Sequence, residues 1–69
     1  MPVIHFNGPL MPKERKAALV LGLTRAAREV LPDIPEQAFT VIIHENNPDN
    51  VGVGGQLLSD RPKPTSNTR

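Results

Sequence analysis

Apolar positions along the chain change their period twice. Residues 2–7 (PVIHFN) alternate, with Ile4 and Phe6 on one face and Val3 and His5 on the other, as a short strand requires. Gly8-Pro9 and Pro12 then punctuate a loop. From Lys13 to Leu31 the period lengthens. Leu19, Leu23, Ala26, Ala27, Val30 and Leu31 recur at i, i+4, i+7, i+8, i+11 and i+12, the stripe of a helix with one buried side. Pro12 falls near the first turn, where a missing N–H does little harm, and Pro32 and Pro35 end the helix. Lys16, Arg25, Arg28 and Glu29 fall mostly on the solvent side. Val20 and Leu21 widen the apolar surface beyond what one sheet face needs. Gly22 is about 1 kcal/mol less favourable than Ala in a helix interior, so it reads as a point of close helix packing.

The second strand is expected over Ala38–Glu45 (AFTVIIHE), centred on Val41-Ile42-Ile43. A continuous β-branched run implies burial on both faces. One helix covers one face of a two-stranded sheet, so the other face must meet another subunit. Asn46–Asn50 (NNPDN) is a turn-rich loop, and Val51-Gly52-Val53-Gly54-Gly55 leads into a short hairpin or tight crossing. The strand–helix–strand order predicts an α/β fold: a single βαβ unit with parallel strands, a right-handed crossover and a C-terminal hairpin. The expected domain spans residues 1–61, and the polar, proline-containing residues 62–69 read as a flexible tail.

At 69 residues the chain is at most one domain. A chain this short buries only about 60% of the surface its unfolded form exposes, so it needs an added source of stability. It has no cysteine, which rules out disulfides and thiolate zinc sites, and its two histidines, His5 and His44, lack a metal-binding spacing. Oligomerisation remains. The net charge of +1 argues against nucleic acid or an anionic membrane as the main partner. A ribbon–helix–helix DNA binder is excluded by the single helix and by a first strand without Lys or Arg. No apolar run approaches the roughly 20 residues that span a bilayer. The start has no positive-then-apolar signal pattern, and a cytoplasmic location is expected.

The residue with the most chemical promise is Pro2. Aminopeptidases remove an initiating methionine that precedes a small residue, and the product here is a free secondary amine at the head of a strand. Backbone α-amino groups titrate at about 7.7–8.0, and desolvation or nearby cations lower that value. A base poised near the working pH transfers protons best. Taken alone, Met-Pro is a common start, and its plain reading is a strand-initiating residue.

MPVIHF at the start, the KERKAALV helix opening, TVIIHE and VGVGGQLLSD together resemble the 4-oxalocrotonate tautomerase family over residues 2 to about 61. The resemblance implies a βαβ protomer assembled as a homohexamer, a trimer of dimers. It implies that Pro2 is the general acid/base for enol–keto proton transfer in a small unsaturated 2-oxo or 2-hydroxy acid, without a cofactor. Three of four expected site positions depart from the family pattern. The loop Asn7–Pro12 has no arginine to bind a substrate carboxylate. Thr40 stands where an arginine usually polarises the substrate carbonyl, and Val51 replaces the aromatic residue before GxGG. Thr40, Val51 and Val53 are the substrate-contact candidates, small core filler being the plain alternative for the valines.

A positioned oxyanion donor is worth about 2.7–4 kcal/mol in a transition state, and a threonine hydroxyl does not match a guanidinium fork. Lys13, Arg15 or Arg61 are the substitutes to consider. Arg25 and Arg28 read as a solvated helix face, His5 and His44 as structural hydrogen-bonders, and Gly52, Gly54 and Gly55 as turn glycines. Two other functions compete. One is the hydratase or dehalogenase branch of the superfamily, which needs a further carboxylate such as Glu45 or Asp49. The other is a non-catalytic oligomeric scaffold subunit.

Overall fold

The computed structural model describes residues 1–61, so the tail expected over 62–69 lies outside the described residues. Strand β1 (Val3–Gly8) is followed by helix α1 (Lys13–Val30) and strand β2 (Thr40–Glu45). Strands β3 (Gly52–Val53) and β4 (Gln56–Leu57) close the described chain, with 3₁₀ turns at Glu36–Ala38, Pro48–Asn50 and Leu58–Asp60. β1 and β2 pair in parallel, from Val3 opposite Thr40 to Gly8 opposite Glu45, and β3 and β4 pair antiparallel. The βαβ unit with a C-terminal hairpin is the architecture that the alternating and helical periods imply.

Boundaries shift by one or two residues, for local reasons. β2 begins at Thr40 rather than Ala38 because Pro35 starts a 3₁₀ turn. The Ala38 and Phe39 amides bond to Pro35 and Glu36 carbonyls at 3.0 and 3.2 Å and are not free for a ladder. α1 begins after Pro12, whose carbonyl accepts the Arg15 and Lys16 amides at 3.0 and 3.1 Å in place of a side-chain cap. At the hairpin, Gly54 and Gly55 have φ of 64° and 84°. A two-residue loop with both residues left-handed matches the twist of paired strands and suits glycine.

The sheet has one covered face. Ile4, Phe6, Val41 and Ile43 are half-buried on the side where α1 packs, with Leu19, Leu23 and Ala27 of the helix stripe. The helix stripe fades toward its end, where Val30 is 77% exposed. Phe6 and Gly8 share a face two residues apart, and a Cβ on Gly8 would lie 2.5 Å from the Phe6 ring. Gly8→Ala should therefore lower stability by about 1–3 kcal/mol, the usual penalty of overpacking, read as a shift of the denaturant midpoint.

On the opposite face Ile42 remains 39% and Val3 44% exposed, so the β-branched run is not buried on both sides within one chain. Gly22 likewise meets nothing: a Cβ there would find no atom within 4 Å, and the close packing expected at this glycine is absent from the protomer. Among the described residues no hydrophobic side chain is fully buried, and Thr24, at 8% exposure, is the single buried residue. No helix of the described residues is long and apolar enough to cross a membrane.

Candidate functional site

Pro2 sits half-buried at the head of β1, and its carbonyl accepts the Thr40 amide at 3.1 Å. Proline has no N–H to contribute to the ladder, and a position just before the first strand residue needs none. The rung puts Thr40, exposed and opposite Val3, at the same end of the sheet as Pro2. Of the sequence-derived candidates, these two are brought together.

Val51 and Val53 belong to the segment that follows β2. β2 leads away from Thr40 to Glu45, and the hairpin follows only after that end. Five steps of strand at about 3.3 Å each separate the two ends of the sheet by roughly 16 Å. Val51 is half-buried, its carbonyl accepts the Leu58 amide at 2.8 Å, and β4 packs on the Pro48–Asn50 turn. Val53 is 49% exposed.

The cations divide in the same way. Lys13 and Arg15 open α1, at the Glu45 end, and Arg61 follows the hairpin. At the Pro2 end, Arg25 and Arg28 line a shallow groove with Glu29 and Glu36. Arg28 faces Glu36 at 3.6 Å.

Two arrangements near the strands were only partly legible in the sequence. Glu45 ends β2 on the helix side, where Oε2 accepts the Met11 amide at 2.9 Å and Oε1 accepts from Lys16 Nζ at 3.0 Å. Lys16 thus turns toward the sheet rather than out to solvent as the helical period implied. One carboxylate ties the loop after β1 to the first turns of α1. The Met11 N–H, and then Lys16, hold the Glu45 carboxyl below its ordinary titration range. A depressed carboxylate stabilises the fold above the unfolded-state value and loses that contribution as pH falls through the folded value. The parent Tm should therefore fall more steeply than that of Glu45→Gln as pH drops below about 4.5 (the ordinary value), and the two curves should converge in acid.

The second arrangement lies on the open face. His5 Nδ1 and His44 Nε2 are 3.0 Å apart, one ring N–H donating to the other ring's lone pair, with centroids at 5.3 Å and ring planes 15° from parallel. Structural hydrogen bonding was the role expected of both. Among the described residues no group of three or more His, Cys, Asp or Glu could hold a metal ion.

Known proteins place this geometry. The family model described as "Tautomerase enzyme" matches residues 2–61, beginning at Pro2. A solved 4-oxalocrotonate tautomerase homologue is 33% identical, with TM-score 0.77, over 91% of this chain and 100% of its own. DmpI from Archaeoglobus fulgidus is 39% identical, with TM-score 0.76, over 86% of this chain and 100% of its own. A heterohexameric 4-oxalocrotonate tautomerase from Chloroflexus aurantiacus J-10-fl is 27% identical, with TM-score 0.71, over 87% of this chain and 95% of its own. Comparison with curated proteins returned no match.

Proposed function

The chain belongs to the 4-oxalocrotonate tautomerase family of the tautomerase superfamily, and on that premise we propose that it is a cofactor-free tautomerase whose base is the amino-terminal Pro2. The observation that carries the reading is the position of Pro2. It is the first residue of the family match and stands at the head of β1 beside Thr40. Met1 is 91% exposed, so the bond to Pro2 is open to removal of the initiator. The resulting secondary amine takes a proton from the enol hydroxyl of a small unsaturated 2-hydroxy acid. It then returns a proton to carbon as the conjugated ketone forms. Thr40 offers the developing oxyanion a neutral hydrogen bond in place of a guanidinium, which favours modest turnover and substrates other than dicarboxylates.

Val51 and Val53 serve as apolar walls of the pocket in this reading. They follow the end of β2 that lies away from Pro2, so in this reading a second copy supplies them. A self-associating assembly, a hexamer by analogy with the heterohexameric relative, answers both that need and the uncovered sheet face. The hydratase and dehalogenase alternative is less well supported, because Glu45 is already engaged by Met11 and Lys16 at the far end of the sheet. The test is ketonisation of phenylenolpyruvate and 2-hydroxymuconate by protein whose intact mass confirms the loss of Met1. Activity in that form and its absence in the Met1-bearing form support the reading, whereas inactivity of both favours a scaffold subunit.

A further inference from the structure

The stacked histidines lie on the sheet face that α1 leaves open, His5 between Val3 and Asn7 on β1 and His44 beyond Thr40 and Ile42 on β2. We propose that the His5–His44 pair is a pH-sensitive latch on self-association, holding the sheet face in the form that a second copy can cover and releasing it in acid. This rests on the self-association reading. The occupant is a second copy because the chain alone leaves every hydrophobic side chain at least partly exposed among the described residues, with Val3 and Ile42 flanking the pair.

The argument is one of proton counting. With both rings neutral, one N–H fills the 3.0 Å gap between Nδ1 and Nε2. One added proton leaves that bond intact, because it settles on a nitrogen outside the gap. A second added proton puts an N–H on both facing nitrogens, removes the acceptor and sets two cations in contact. In water the rings swing apart and take both protons. Under a covering copy they cannot, and that copy brings its own pair to the same apolar face. The free face therefore binds at least one more proton than the covered face. Histidine is the side chain that ordinarily changes charge between pH 5 and 8, so acid favours the free form.

Among the described residues no carboxylate on this face neutralises the pair. The remaining positions of β1 and β2 on that side (Val3, Asn7, Thr40 and Ile42) carry no titratable group. Glu45 projects to the helix side and is held by Lys16 of α1. The other charges of α1 belong to that covered side of the sheet. The hairpin residues Gly52–Leu57 are all uncharged, and Asp49, Asp60 and Arg61 stand in turns beyond the Glu45 end. The amino terminus lies at the Pro2 end of β1, before Val3.

The experiment is analytical ultracentrifugation of the intact chain at pH 8, 7, 6 and 5, beside His44→Gln and His5→Asn. Assembly at pH 8 tests the self-association reading alone: a monomer there overturns that reading and the latch with it. Given assembly, the expected result is a dissociation constant that rises at least tenfold per pH unit between pH 6 and 5, and less than twofold in either variant. A parent constant that holds within twofold from pH 8 to 5 overturns the latch while leaving self-association standing. A full pH dependence surviving in both variants also overturns it. If neither variant assembles, proton uptake on dilution of the parent at pH 6 decides: about one proton per protomer supports the latch, and none overturns it.

Discussion

Under the proposed function, replacing Pro2 by Ala should lower kcat/KM for enol ketonisation about 10²-fold while leaving the assembled mass and Tm close to the parent's. General acid–base catalysis by a positioned group contributes about 10²–10⁴-fold. The lower end applies because an N-terminal alanine still presents an amine, now primary and freely rotating instead of fixed by a ring. The Met1-bearing protein should lose the larger factor, since Pro2 nitrogen is then an amide without a basic lone pair. Stopped-flow or steady-state ketonisation of phenylenolpyruvate measures both, and the ordering matters as much as the size. The parent rate should rise with pH through the titration of the amine and then level off, because the free base is the active form. Equal rates for parent, Pro2→Ala and Met1-bearing protein would remove Pro2 from the mechanism.

Ile42→Asp should give the largest loss of stability of any single substitution considered. Ile42 lies on the sheet face that α1 does not cover and is 39% exposed in one chain. Under the assembly reading that surface is covered by a second copy, and a carboxylate there has no partner. An unpaired charge forced into an interior costs on the order of 3–5 kcal/mol, and here it recurs in every copy. A small domain with no fully buried hydrophobic side chain among the described residues has little stability to lose. Circular dichroism should show an unfolded or nearly unfolded chain, and light scattering a loss of the assembled mass. The parent's Tm should rise with protein concentration, as it does when folding and association are one equilibrium. A parent Tm independent of concentration, with Ile42→Asp as stable as the parent, would mean that the open face is an ordinary solvent face.

Part of this was legible residue by residue. Alternation in PVIHFN and the helical stripe from Leu19 to Leu31 each state a period, and a period is a local property of the chain. Their order, separated by prolines that stop each element, leaves a parallel βαβ unit as the simple solution. Gly54-Gly55 marks the hairpin because only a loop tolerant of positive φ joins strands so closely. Pro2 was legible as a candidate because it follows Met1 and opens the stretch that resembles the family.

What the sequence could not carry were contacts between residues far apart in the chain. Lys16 sits on the polar side of a helical wheel, yet it turns to Glu45 because the crossover lays the start of α1 beside the end of β2. The pairing of His5 with His44 depends on register: only with Val3 opposite Thr40 do the two rings come within 3.0 Å. Pairing likewise joins Pro2 to Thr40. Local periodicity thus determined the elements, and the family resemblance, not the periodicity, singled out the candidate base. The tertiary structure alone decided which side chains share an end of the sheet, and it left one sheet face uncovered, because a single helix has only one side to give.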